Sequence, residues 1–272
     1  ANILRDVQMI DPAGQGNDTA VVNDLFGGGT NYRTDADSVT ILSLSPPFIA
    51  LPPMVDPGDG TTILGSNGDD TLDLNSVPGD SFPAKTVFDL GPNDDVVRLG
   101  GSQNIVDPGL PSTSSILASG GIDRIIVNDQ NPTSPRTDLR FDENGFVGGL
   151  RFADFQNLDI SAHQLPGGVA QPVTFRGFVS PAPNILITGT ASADHVQFGE
   201  PAHPITGQNY WGTVSLELAA GNDLVDINFL DAPSSSWTFY DSGLGIGNGP
   251  ASFFSAGVTN LVMNTTNGPD VF

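Results

Sequence analysis

The sequence predicts an all-β fold, a β-solenoid of the parallel β-helix kind with rungs of about 24 residues. Three observations predict it: a composition suited to strands and turns, an aspartate-led apolar motif that recurs along the chain, and steps between copies that fit a repeating coil. Gly contributes 33 and Pro 22 of the 272 residues, below the level of a low-complexity chain but enough for many turns. Among the 31 acidic residues only Glu143, Glu200 and Glu217 are glutamate, and Lys85 is the single lysine. The residues that ordinarily cover helix surfaces are missing, which excludes a helical bundle or coiled coil.

The motif is an aspartate followed by alternating apolar positions. Copies begin at Asp18, Asp37, Asp70, Asp95, Asp123, Asp194, Asp223 and Asp270. The second residue after the aspartate is apolar in every copy, and so is the fourth wherever the chain reaches it, as in Leu72/Leu74, Val97/Leu99 and Ile125/Val127. That period of two is the signature of a strand with one buried face. Turn formers precede the aspartate (Ser66-Asn67-Gly68-Asp69, Gly91-Pro92-Asn93-Asp94, Gly120-Gly121, Gly221-Asn222), and seven residues before it stands Ile63, Phe88, Ile116, Ile187, Leu216 or Met263. Each unit therefore reads strand, tight turn, strand.

Spacing then narrows the architecture. Successive aspartates are separated by 19, 33, 25, 28, 71, 29 and 47 residues, and several of these lie near one or a small multiple of about 24, as stacked coils require. Ten or eleven coils at ~4.8 Å each would make a rod on the order of 50 Å long. The alternative that the same turn signals allow is a pair of tandem antiparallel β-sandwiches. Residues 1–272 are expected to form a single elongated repeat-containing β domain, with a weak boundary in the Pro- and Gly-rich stretch 165–183. Both ends of the sequence fall inside the repeat pattern without a polar cap, so it is expected to be a segment of a longer array or to join neighbouring copies end to end.

The net charge of −22 disfavours nucleic acid and anionic membrane surfaces, and favours metal ions or basic surfaces as partners. The absence of cysteine excludes disulfide scaffolds, thiolate zinc sites and cysteine nucleophiles. No uninterrupted apolar run is long enough to insert in a bilayer.

Gly65-Ser-Asn-Gly-Asp-Asp-Thr-Leu-Asp-Leu74, Ile187-Thr-Gly-Thr-Ala-Ser-Ala-Asp-His-Val-Gln-Phe198 and Gly221-Asn-Asp-Leu-Val-Asp-Ile227 resemble degenerate repeats-in-toxin calcium motifs. The mixture resembles the repetitive regions of very long bacterial extracellular surface, adhesin and fibre-forming proteins. That resemblance implies a secreted, cell-surface location and calcium held in turns. In regular arrays of that kind the Gly-rich nonapeptide recurs every nine residues, and no two copies here are so spaced, so a regular calcium-loaded roll is not expected. Isolated calcium turns are: Asn67, Asp69 and Asp70, Asn93, Asp94 and Asp95, and Asn222 with Asp223 each bring carboxylate, amide and backbone oxygens together. The competing role for the same residues is to accept nearby backbone N–H groups in turns that hold no ion.

Other chemistry is thinner. His163, His195 and His203 lack zinc-ligand spacing, and no Gly-x-Ser-x-Gly elbow occurs. Trp211, Trp237 and Tyr240 are candidates for stacking on sugars, against a packing role. The functional expectation is a non-enzymatic structural component of an extracellular surface fibre, stalk or surface layer, whose acidic turns face solvent. Its partners would be copies of itself, head to tail, or flanking repeats of the same chain, with surface glycans as a further class. The alternatives are a glycan-binding adhesin module and an extracellular β-helix polysaccharide lyase or hydrolase, which would need converging carboxylates and a basic residue.

Overall fold

The computed structural model describes residues 6–10, 19–23, 28–35, 38–41, 49–50, 60–74, 86–101, 104–106, 114–134, 136–142, 144–146, 150–177, 183–203, 213–228, 236–240, 243–247, 252–256 and 259–264. They are strands and turns, with no α-helix among them. The chain forms two compact units, one of Ala1–Asn128 with Gly148–Phe155 and the other of Asp129–Val147 with Gln156–Phe272. The repeat aspartates Asp18, Asp37 and Asp270 lie outside the described residues.

In the first unit the predicted strand–turn–strand repeats are arches. Gly60–Leu64 leads to Thr71–Leu74, Thr86–Asp89 to Val96–Leu99, and Ser115–Leu117 to Arg124–Asn128. The two strands of an arch do not pair with each other but belong to different sheets. Each pairs in parallel with its counterpart in the next arch, so Ile63, Phe88 and Ile116 lie in register. Leu72, Val97 and Ile125 do the same on the other sheet, as do Leu74, Leu99 and Val127. All nine of these side chains are at most 1% exposed, while residues between them, such as Asp73 and Arg98, look outward. Burial of alternate positions between two sheets is what the period of two encodes.

Parallel pairing between copies separated by 25 to 28 residues decides against antiparallel sandwiches as the organising scheme. Among the described residues, antiparallel pairing is confined to hairpins such as Asp6–Ile10 with Thr19–Asn23, and Asn31–Asp35 with Ser38–Ile41.

The second unit repeats the plan. Its arches join Asn184–Thr188 to His195–Phe198 and Thr213–Glu217 to Leu224–Asn228. Ile185 and Ile187 lie beside Val214 and Leu216, and Val196 and Phe198 beside Val225 and Ile227. Phe141, Phe175 and Phe198 form a stacked column, with ring centroids 5.3 and 5.1 Å apart, because parallel register sets identical positions directly above one another. The 165–183 stretch contributes a short hairpin, Gln164–Leu165 with Val169–Ala170, to this unit. No described helix is long and apolar enough to cross a membrane.

Candidate functional site: the aspartate ladders

An arch must turn the chain from one sheet to the other while the parallel ladder passes the corner, where strand pairing is interrupted and backbone N–H groups would be left without partners. The repeat aspartate fills this gap. In the first unit the N–H of Thr30 donates to Asp70 Oδ1 at 2.7 Å, that of Asp70 to Asp95 Oδ1 at 2.7 Å, and that of Asp95 to Asp123 Oδ1 at 2.8 Å. In the second, Asp194 donates to Asp223 Oδ1 at 2.9 Å. The next residue in each copy returns to ordinary pairing, with Val96 and Arg124 donating to the carbonyls of Asp70 and Asp95. A side-chain acceptor thus carries the ladder around each corner.

Local sequence sets how each carboxylate is held. Where the residue four before it bears a hydroxyl, as at Ser66 and Thr190, both the hydroxyl and the N–H of that residue donate to the carboxylate. At Ala219 no hydroxyl exists, and Asp223 Oδ2 is buried without a partner; Asp95 Oδ2, whose arch has Gly91 at that place, is in the same condition. Ser119 in the third arch turns its hydroxyl to Asp89 instead. The glycine five before the aspartate has a related cause: a Cβ on Gly65 would run into the Leu90 carbonyl and the Asp70 carboxylate, and one on Gly189 into the Asp194 carboxylate. Gly121 at φ +119° reflects a different demand, because its neighbour across the stack is the Asn93 carbonyl.

The expectation that the acidic turns face solvent is half corrected. Asp70, Asp95 and Asp223, together with Asp123 and Asp194, are at most 4% exposed. Their sequence neighbours Asp69, Asp94 and Asn222, and also Asn67 and Asn93, are exposed. The outer residues form a second ladder, in which Asn93 Nδ2 donates to the Asn67 carbonyl at 2.6 Å and Ile122 N–H to Asp94 Oδ1 at 2.8 Å. Of the eight residues named as calcium turns, Asn67, Asp69, Asp70, Asn93, Asp94, Asp95 and Asp223 carry hydrogen bonds inside or between arches, and Asn222 is exposed beside Asp223. Among the described residues no three His, Cys, Asp or Glu side chains are grouped to hold a metal ion.

Burial dominates the electrostatics of the inner ladder. It pushes the Asp95 carboxyl up to about 7, against the Asp70 N–H, and the carboxylates of Asp70, Asp123 and Asp69 push in the same direction as burial. Burial also raises Asp123, against the Asp95 N–H and with Asp94 and Asp154 adding to it. It raises Asp194, against the N–H and hydroxyl of Thr190 and with Asp223 adding to it.

A second polar cluster, absent from the sequence reading, lies in the second unit. Asp129 Oδ1 accepts from Ser134 Oγ at 2.6 Å and Asp129 Oδ2 from Gln171 Nε2 at 2.8 Å, while His163 Nδ1 stands 3.4 Å from Oδ2. The Gln171 N–H also donates to the His163 carbonyl and the His163 N–H to Gln171 Oε1, so the cluster ties Asp129 and Ser134 to the hairpin segment. Only the buried histidine hinted at it, and its partners are eight and more residues away. His195 is half-buried and His203 exposed. Trp211 lies outside the described residues; Trp237 and Tyr240 sit on the strand Ser236–Tyr240, opposite Ile246 and Gly243. Compared with family models, curated proteins and solved structures, the chain has no match.

Proposed function

We propose that the chain is a structural component of an extracellular surface fibre, stalk or surface layer, in which the stack of arches is itself the product. One observation carries this reading: the repeat's most distinctive side chain is engaged in joining one rung to the next. An enzyme gathers its polar groups at one place, whereas here the same N–H to carboxylate bond recurs from Thr30–Asp70 through Asp95–Asp123, and again at Asp194–Asp223. In-register parallel pairing supports the mechanical reading, because neighbouring rungs separate only when several bonds break together. The partners that suit it are further copies or flanking repeats of the same kind, with the charge of −22 calling for cations or basic surfaces wherever chains are brought close.

The test is to stretch single molecules tethered at residues 1 and 272, with a β domain of known mechanical strength in the same tether as reference. The expected result is stepwise extension at forces comparable to the reference. Extension without measurable resistance would overturn the reading, and so would turnover of an acidic polysaccharide by the purified chain or glycan-array binding lost in Trp211→Ala.

A further inference from the structure

We propose that the stacked aspartates of the first unit's arches bind a proton at Asp95, so that the folded chain holds a proton its unfolded form releases and is tightest in mild acid. The geometry points there first. Asp70, Asp95 and Asp123 succeed one another up the stack, each at most 1% exposed. Adjacent parallel strands lie about 4.8 Å apart, a separation at which partly buried carboxylates resist joint ionisation.

One oxygen of each accepting carboxylate is fixed by an N–H from the arch before it, but the second oxygen of Asp95, Oδ2, is buried with no donor. An ionised carboxylate is acceptor-only and strongly disfavours such a position, while a protonated one carries no charge there.

Among the described residues, no cation is among the groups that act on Asp95. The charged groups facing Asp95 are Asp70 on the arch before it, Asp123 on the arch after it and Asp69 on the outer turn. Asp94 and Asp154 push Asp123 up, against the Asp95 backbone that donates to it, and Asp223 pushes Asp194 up. Arg98, on the strand that follows Asp95, is turned outward to Asp73 at 3.1 Å. The direction of the shifts agrees, since Asp95 is raised from 3.8 to about 7, and Asp123 and Asp194 are raised with it. A carboxyl whose pKa is higher folded than unfolded stabilises the fold below the unfolded value. That contribution is lost as pH rises through the folded value, here between 3.8 and about 7 for Asp95.

The experiment uses the whole chain in the presence of a chelator. Infrared spectra of the native protein should contain, at pH 6, the carbonyl band of protonated carboxyl groups, and that band should vanish by pH 8.5. Urea unfolding over the same range should give a folding equilibrium constant that falls with pH, by up to tenfold per pH unit for the Asp95 proton. Asp95→Asn keeps the Oδ1 acceptor and removes the titration, so its profile should be shallower than that of the wild type. A native spectrum without the protonated-carboxyl band at pH 6 overturns the proposal, whether or not the variant folds. So does a folded Asp95→Asn variant whose stability follows pH as steeply as the wild type.

Discussion

Thr190→Val removes one hydroxyl from an arch and leaves its shape almost unchanged. Thr190 Oγ1 donates to Asp194 Oδ1 at 3.1 Å and accepts from the N–H of Ser192 at 3.1 Å, while the Thr190 N–H reaches both carboxylate oxygens at 3.1 and 3.0 Å. The substitution deletes the first two bonds and keeps the backbone ones. A hydrogen bond to an ionised group contributes about 1.5–3 kcal/mol and a neutral one about 0.5–1.5 kcal/mol. Both bonds are only part-buried, so the lower ends apply, giving a loss of about 2 kcal/mol when Asp194 is ionised. Burial raises the Asp194 pKa and the Thr190 hydroxyl opposes that rise, so the variant's carboxyl should stay protonated to higher pH. The loss should therefore be about 1 kcal/mol on the acid side, where the carboxyl is protonated, and should grow toward about 2 kcal/mol as rising pH ionises it. Urea denaturation of the wild type and the variant across that range measures it. A loss below about 0.5 kcal/mol, or one that does not vary with pH, would refute the view that the arch hydroxyl holds an ionisable corner residue.

Ala219→Thr places a hydroxyl four residues before Asp223, as Thr190 stands before Asp194, and is expected to stabilise the chain by about 1 kcal/mol in the same urea assay; no gain would mean that the two arches differ in more than that side chain. Gly65→Ala should destabilise by about 1–3 kcal/mol, because the Leu90 carbonyl and Asp70 carboxylate occupy the space of the new methyl group. Gly28→Ala, with nothing within 4 Å of its Cβ position, should stay within about 0.5 kcal/mol of the wild type, and equal thermal shifts for the pair would remove the close-approach explanation.

The strands were legible because their cause is local. Leu72 and Leu74, or Val196 and Phe198, alternate with polar residues, and a buried face needs only that alternation. The arches were legible too, since Gly, Asn and Asp cluster where the chain must turn. Within each turn, however, the adjacent pairs Asp69/Asp70 and Asp94/Asp95 look equivalent, yet in both the second carboxylate is buried and the first exposed. What separates them is which N–H of another rung each accepts: Asp70 and Asp95 take the buried N–H groups of Thr30 and Asp70, 40 and 25 residues away, whereas Asp69 and Asp94 take the exposed ones of Asp94 and Ile122. The hydroxyl and glycine that seat the carboxylate, Gly65-Ser66 and Gly189-Thr190, are present in the sequence, but they gain meaning only once the side chain is seen folding back over them.

By itself the sequence determined an all-β chain of repeated strand–turn–strand pieces, because composition and a period of two act through each residue's own neighbours. Only the tertiary structure decided that the pieces pair in parallel through different sheets and that their aspartates turn inward as a ladder. Those outcomes depend on hydrogen bonds closed between residues far apart in the chain, whose register no local pattern records.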